Sequence, residues 1–352
     1  MIKEFLHFGI YEYKGAIHIH SKHSDGGAKI KRIIKDAQKA DLDYIILTDH
    51  NSIQALKEGY EGWYDNLLLL VGEEITPKEG HHYLAFGIED EIIGKEFSDE
   101  QDYIDIVSDS GGFGIIAHPF GNKTRYLRTK KNSWGNWNVT GYTGIEIWSY
   151  MIDWINNVTP LTLPNYYFFP DRAIDGPASE TLEKWDEIAQ TRHIVGIGSL
   201  DAHGRPTSLL GFLKPLSYEH LFETIRTHIL TPAPFIRKSL NESKKLVYDA
   251  IRSGRCFFAY DSLADSTGFR FAGMMNKTVP LLMGDEVNCN GDVSLQASVP
   301  VLAELRLIRN GKPIKSDYGK DIKFETKQTG AYRIEVYYDN RPWIFSNHIY
   351  LR

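Results

Sequence analysis

Three histidines and an aspartate, His18, His20, His23 and Asp25, crowd into the stretch Gly15-Ala-Ile-His-Ile-His-Ser-Lys-His-Ser-Asp-Gly-Gly. They follow directly on a short extended segment. His18 and His20 are two residues apart, so on a β-strand both side chains leave the same face. Two imidazoles on one face at a strand end can begin a metal site. A polar strand end with solvated histidines explains an isolated His-x-His as well, so the rest of the chain has to decide.

Residues 28 to 41 place Ile30, Ile33, Ile34 and Ala37 at the i, i+3, i+4, i+7 spacing of an amphipathic helix. Tyr44-Ile-Ile-Leu-Thr is a continuous apolar strand that runs into Asp49-His50-Asn51, and residues 52 to 60 suit a short helix. Leu67-Leu-Leu-Leu-Val is the next buried strand, ending in Gly72-Glu-Glu-Ile-Thr, and His81-His82 opens the strand-like run Tyr83-Leu-Ala-Phe-Gly. Ser98-Asp-Glu-Gln reads as a capping box with Ser98 as N-cap, and the helix it opens is stopped by Gly111-Gly112. Phe113-Gly-Ile-Ile-Ala leads to His118-Pro119, and Gly144-Ile-Glu-Ile-Trp, which carries Glu146, is a further strand. A helix over 179 to 192 precedes His193-Ile-Val-Gly-Ile-Gly-Ser, which ends in Asp201-Ala-His203; residues 218 to 230 and 240 to 252 read as two more helices.

Strands and helices alternate, and the strands are apolar on both faces. That argues for a parallel sheet covered by helices, closed as a barrel or doubly wound. Five runs carry His, Asp or Glu at their C-terminal ends: His18 and His20, His50, Glu74, His118, and Asp201 with His203. In a (β/α) barrel those ends converge on one face. Residues 120 to 177 are rich in aromatics and poor in helix signals, as expected of a lid, a pocket rim or a packed extension. From about Gly273 the pattern becomes short alternating runs, with Asn310-Gly311 as a hairpin signal between two of them. The expected organisation is a barrel domain over 1–272, with the aromatic insertion at about 120–177, and a small antiparallel β-sandwich over 273–352.

The 352 residues are 42% hydrophobic and 24% charged, the composition of a globular chain with ample core material. A net charge of −6 does not suggest a general polyanion binder, which makes nucleic acid the weaker partner. No apolar stretch approaches the length of a membrane span, and a cytoplasmic location is expected. A homo-oligomer is compatible with all of this. The two cysteines, Cys256 and Cys289, are far apart and lack zinc-type spacing. Imidazole and carboxylate without thiolate suit catalytic rather than structural zinc, and equally manganese or iron. So many ligands are enough for two or three divalent ions bridged by a carboxylate, an arrangement that activates water and stabilises a leaving oxygen.

These motifs resemble the PHP family, named for its polymerase and histidinol-phosphatase members. The resemblance rests on His18-x-His20 with His-Ser-Asp25-Gly, Thr48-Asp-His50-Asn, Gly72-x-Glu74-Ile, the His82 run, Ala117-His118-Pro119 and Asp201-x-His203, all in the family's order. It implies a distorted (β/α)7 barrel of PHP type. It also implies that His18, His20, Glu74 and Asp201 bind a first ion, that Glu74 bridges to a second held by His82 and His118, and that Asp25, His50 and His203 hold a third. Glu73 beside Glu74 and His81 beside His82 are the neighbouring alternatives; the family's Gly-x-Glu spacing favours Glu74, and His82 directly precedes its strand. His23 has no place in the scheme and is expected to be solvated or supporting, and His7, His193, His220, His228 and His348 are expected to be structural.

The tail and the run Asp201-Ala-His-Gly-Arg205 resemble the branch of the family that includes carbamate-ester hydrolases. The expected function is therefore a metal-dependent hydrolase, foremost a phosphoesterase acting on a small anionic phosphate ester. A hydrolase of a non-phosphate ester, carbamate or amide is the second expectation, and a non-catalytic metal-binding module the third. Lys123, Arg125, Arg128 and Arg205 are the basic residues placed to meet an anionic substrate group.

Overall fold

The computed structural model describes residues 9–78, 81–94, 97, 99–121, 133–204 and 216–352. They form two compact units. One comprises the described residues of Lys14–Ala178 and Gly198–Arg226; the other comprises those up to Tyr13 together with Ser179–Ile197 and Thr227–Arg352.

The first unit is mixed α/β. Strand β1 (Tyr11–Ile19) pairs in parallel with β2 (Tyr44–His50), and β2 with β4 (Leu67–Ile75), while the short β3 (Gly62–Tyr64) lies antiparallel on β4. β5 (Tyr83–Phe86) runs antiparallel to both β4 and β6 (Phe113–Ile116), and β6 pairs in parallel with β7 (Gly144–Ser149). The parallel sheet expected from the alternating pattern is thus interrupted by two antiparallel strands, the short β3 and the reversed β5. A four-residue apolar run has no directional signature, so its reversal could not be read from composition. β2, β4, β5, β6 and β7 are buried almost end to end, which accounts for their lack of polar alternation.

Helix α1 (Ile30–Lys39) buries Ile30, Ile33, Ile34 and Ala37, the predicted stripe. A short α2 (Gln54–Lys57) follows β2, and α3 (Glu100–Asp109) precedes β6. Asp99 is the N-cap of α3, its carboxylate accepting from the Gln101 N–H at 2.9 Å; Ser98, the expected cap, lies outside the described residues. After β7 come α4 (Tyr150–Asn157), α5 (Leu163–Phe168) and a 3-10 turn (Pro170–Ala173). Part of the region expected to be poor in helix is therefore helical. Trp134, Tyr142, Trp148 and Trp154 are buried, whereas Phe168 and Phe169 are exposed.

In the second unit, α6 (Ser179–Ala189) follows the insertion, and β8 (Val195–Ser199) leads back towards the first unit's residues. Residues 198–226 belong again to the first unit, where the helix expected over 218–230 is only one turn, α7 (Tyr218–Leu221); strand β9 (Ile225–Thr231) begins there and ends in the second unit. The β-branched residues Ile225, Thr227, Ile229 and Thr231 recur at every second position, a strand period that outweighs the helical one. Beyond α8 (Leu240–Arg252) and β10 (Cys256–Tyr260), strands β11 (Arg270–Met275), β12 (Val279–Leu282), β14 (Val293–Arg309), β15 (Lys312–Thr326), β16 (Gly330–Tyr338) and β17 (Arg341–Ser346) pair in antiparallel fashion. The two-residue β13 (Glu286–Val287) is parallel to β18 (Ile349–Leu351). This β-rich tail shares its compact unit with α6, α8 and β10. Within it, Arg333 donates two hydrogen bonds to the Asp186 carboxylate, at 2.8 and 2.6 Å, both groups being buried.

Arg309 and Lys312 are paired, which leaves Asn310 and Gly311 as a two-residue turn with φ of 50° and 77°. That is the left-handed pair of a hairpin turn, as the Asn-Gly signal predicts. A Cβ on Gly311 would also stand 3.2 Å from the Asp186 Cβ. Gly311→Ala should therefore cost about 1–2 kcal/mol of unfolding free energy, read as a lowered urea midpoint. An unchanged midpoint would contradict the turn geometry.

Candidate metal centre

Because β5 is reversed, its beginning lies where the parallel strands end. His82, directly before β5, therefore joins His50 and Glu74 at the C-terminal ends of β2 and β4 and His118 just beyond β6. Register makes this concrete: His50 stands beside Glu74 across β2 and β4, Ile75 beside Tyr83, and the Ala117 N–H donates to the His82 carbonyl at 3.1 Å. Beyond β8, residues 200 to 202 run along β1, with Leu200 N–H donating to Ile17 O and Ala202 N–H to His18 O, which delivers Asp201 and His203.

Strand alternation does not explain how His18 and His20 meet. β1 carries a register shift between Ile17 and Ile19, and it ends before His20. His18 is the bulged residue, with φ of 67°. A bulge re-aims a side chain, and here it brings His18 to the cluster. His118 and Asp201 also have positive φ, 26° and 53°. Non-glycine residues held in this region concentrate at functional sites.

The Glu74 carboxylate is the hub. Its Oε1 lies 2.7 Å from His82 Nδ1, 3.2 Å from His118 Nε2 and 3.3 Å from His18 Nε2; its Oε2 lies 2.8 Å from His50 Nδ1 and 3.3 Å from His20 Nε2. Asp201 Oδ1 is 3.3 Å from His20 Nε2 and 3.5 Å from His18 Nε2. Asp25 Oδ1 is 3.0 Å from His203 Nε2 and 3.7 Å from His50 Nε2. Three sets of donor atoms come close enough together to hold a cation: His18, His20 and Glu74; His50, Glu74 and His82; and His20, Asp25, His50 and His203. His18 and His20 are wholly buried, whereas Asp25 is 40% exposed at its side chain, so the cluster opens to solvent on the Asp25 side.

The buried atoms His18 Nε2, His20 Nδ1 and Nε2, Glu74 Oε2 and His118 Nδ1 have no hydrogen-bond partner among the described residues. Polar atoms left so in a core are costly. Most of them belong to the sets that could coordinate an ion, and imidazole with carboxylate is a donor set that suits zinc, manganese or iron.

Burial opposes ionisation of Glu74, but His82, His18 and His50 hold its carboxyl well below the usual range. Asp201 is likewise held low, against its burial, by His18 and His203. Burial, with His203 alongside, pushes His20 down to about 4. At the open side, burial raises the Asp25 carboxyl, but the hydrogen bond and charge of His203 bring it to about 2.

A second layer holds the loops that carry these residues. Asp49 accepts from Ser21 N–H, Ser21 Oγ and Ser24 Oγ at 2.7, 2.7 and 2.6 Å, which shapes the loop carrying Asp25. The Tyr218 hydroxyl approaches the His20 carbonyl at 2.5 Å and the His203 carbonyl at 2.8 Å, clamping the two segments that carry these histidines. Gly26 packs so closely that a Cβ would stand 2.2 Å from the His20 carbonyl oxygen. Glu146, which the motif reading passed over, contacts His18 Nδ1 at 2.7 Å. Its signal was present: an acidic residue inside an otherwise apolar buried strand.

The neighbouring alternatives face elsewhere. Glu73 is buried on the other side of β4, where it accepts from the Ile92 N–H at 3.0 Å. His81 pairs with Glu100 through Nδ1 and lies near Trp134. His23 Nε2 is 3.3 Å from Glu58. His228 sits between Glu12 and Asp261, and His348 bonds Asp186, all within the second unit. His220 lies 3.1 Å from Asp171 in the first unit. His7, Lys123, Arg125, Arg128 and Arg205 lie outside the described residues.

A family model for the PHP domain matches residues 16–119. The uncharacterised protein MJ1587 of Methanocaldococcus jannaschii is 29% identical over 119 residues, which span 30% of this chain and 68% of that protein. Among solved structures, similarity extends to a two-domain protein from Bacteroides vulgatus, described as containing a predicted PHP-like metal-dependent phosphoesterase. It is 17% identical, with 97% of this chain and 96% of that one covered and a TM-score of 0.45. PsfC from Pseudomonas syringae is 13% identical, with 72% and 93% covered and a TM-score of 0.44.

Burial raises the Glu73 carboxyl to about 8, so it is largely protonated in the folded chain at neutral pH. Its folded value lies above the unfolded one, so its favourable contribution is complete below about 4.5 and is lost as pH rises through about 8. Glu73→Gln should therefore raise the urea midpoint relative to the wild type at pH 9 by more than at pH 5. An equal difference at the two pH values would show that Glu73 is ionised in the fold.

Proposed function

We propose that the chain, whose residues 16–119 belong to the PHP domain family, is a metal-dependent hydrolase acting on a small phosphate ester. The observation that carries the reading is Glu74: a carboxylate 1% exposed, with ring nitrogens of five histidines within 3.3 Å. Such a group fits a bridging ligand between adjacent cations better than a structural ion pair, since two of the nitrogens facing it, His18 Nε2 and His20 Nε2, have no hydrogen-bond partner among the described residues.

In this reading His18, His20, Glu74 and Asp201 hold one ion, Glu74 with His82 and His118 a second, and Asp25, His50 and His203 a third. The ions supply, when bound, Lewis-acid polarisation of the ester and a lowered pKa for the attacking water. The protein's own part is placement. Asp49 and Tyr218 hold the loops that carry Asp25, His20 and His203. The half-buried side formed by Asp25, His50 and His203 is the way in for substrate. Arg125, Arg128 and Arg205 are the charges assigned to the phosphate. We further read the strands around this site as belonging to a distorted (β/α)7 barrel of the family's kind.

The test is removal of metal by chelation, followed by readdition of zinc, manganese or iron(II). Turnover of p-nitrophenyl phosphate and nucleoside monophosphates should fall with the metal and return with at least one of the three. Glu74→Gln should lower kcat by at least about 10²-fold in a chain with unchanged circular dichroism. Full activity after verified loss of metal would contradict the proposal. A preference for phenyl carbamates over phosphate esters by more than tenfold, about 1.4 kcal/mol in the transition state, would move the substrate class while keeping the centre.

A further inference from the structure

We propose that Glu146 is a positioning residue for the metal centre: one buried carboxylate that sets His18 by its side chain and His118 by its main chain. The assignment rests on the metal-centre reading and adds a role outside the nine ligands named above. Glu146 lies on β7 and is 1% exposed. Its Oε1 is 2.7 Å from His18 Nδ1 and also accepts from the Ser199 hydroxyl, while its Oε2 accepts from the His118 N–H at 2.6 Å. From the middle of β7 the carboxylate therefore joins the ends of β1 and β8 and the segment after β6, and these contacts lie within the first unit.

The chemistry follows from which nitrogen is engaged. A carboxylate on Nδ1 places a proton there, which leaves the Nε2 lone pair for a cation and raises its basicity. His18 Nε2 is the atom that faces the Glu74 and Asp201 carboxylates, at 3.3 and 3.5 Å, and it makes no hydrogen bond. Glu146 also acts where the backbone is least favourable. His18 and His118 both have positive φ, a sparsely populated conformation for residues other than glycine, and the same carboxylate holds one by its ring and the other by its N–H. The Ser199 hydroxyl donates to the same Oε1 and so helps to fix the carboxylate's own rotamer. A residue whose only task was to stabilise the fold would not need to link two candidate ligands from different strands.

The test is the affinity of the full chain for Zn²⁺ alone and for Mn²⁺ alone. The chain is first stripped by a chelator and then titrated in competition with a chromogenic chelator. Glu146→Gln keeps the shape but removes the charge, and it should weaken binding by about 10–100-fold; Ser199→Ala should weaken it less, and His23→Ala not at all. Wild-type affinity and stoichiometry in folded Glu146→Gln would overturn the proposal, as would a lowered melting temperature of the stripped chain with unchanged affinity, the mark of a purely structural role. Should Glu146→Gln fail to fold, Glu146→Asp takes its place, because it keeps the charge and withdraws it by one methylene; unchanged affinity there overturns the proposal, and weakened affinity supports it. A wild-type chain that binds neither ion overturns the metal-centre reading itself and this assignment with it. Binding by the wild type that Glu146→Gln equals overturns only the role of Glu146.

Discussion

The Glu74 carboxylate is taken wholly out of water and placed within hydrogen-bond or ion-pair range of five imidazoles. An isolated ionised group in such a place would be neutralised or would cost several kcal/mol. Here the surrounding nitrogens hold it ionised. Each of those nitrogens must reach the same small volume from a different segment, so the paths of β1, β2, β4, β5 and β6 are constrained by this one group. Asp201 and Asp25 extend the same logic outward, each facing histidines that approach from other loops.

The fold meets that constraint by two local irregularities. The reversal of β5 lets a residue before a strand stand with residues at or just beyond the C-terminal ends of other strands, and so admits His82. The bulge at His18 turns a residue that regular pleating would aim elsewhere. Around these irregularities sits a layer of ordinary polar residues, Asp49, Tyr218, Ser199 and Glu146, whose hydrogen bonds run to loops, to backbone, to one another or to the far side of the His18 ring. Within that layer Glu146 holds both His18 and His118, two residues of positive φ. Precision at the centre is therefore distributed over residues that never face it.

Much of the centre was legible from the chain alone, because its residues follow apolar runs and recur in His-x-His, Asp-His and Asp-x-His patterns. The cluster formed by Glu74 and its histidines needed no knowledge of the reversed strand, since His82 was found by its place before Tyr83. The reversal itself was not legible. Nor was β9, where a helical reading of 218–230 yielded to β-branched alternation once burial on both faces was available. Glu146 was visible only as an acidic residue in a buried strand, and its partners come from segments 28, 53 and 128 positions away. Spacing rules do not reach across such separations. In the β-rich tail the Asn310-Gly311 turn was readable from two residues, because left-handed φ at both positions singles out that pair. The long β15 was not, its polar and exposed sequence offering little alternation.

The account stands on the claim that the histidine and carboxylate cluster is a metal centre built on Glu74. Anomalous X-ray scattering from crystals of the purified chain, collected across the zinc, iron and manganese edges, tests that claim most directly. The account predicts at least two anomalous peaks, one on either side of the Glu74 carboxylate and within coordination distance of His18 and His82. Metal-replete crystals with no peak at Glu74, or with peaks confined to other parts of the chain, would contradict it.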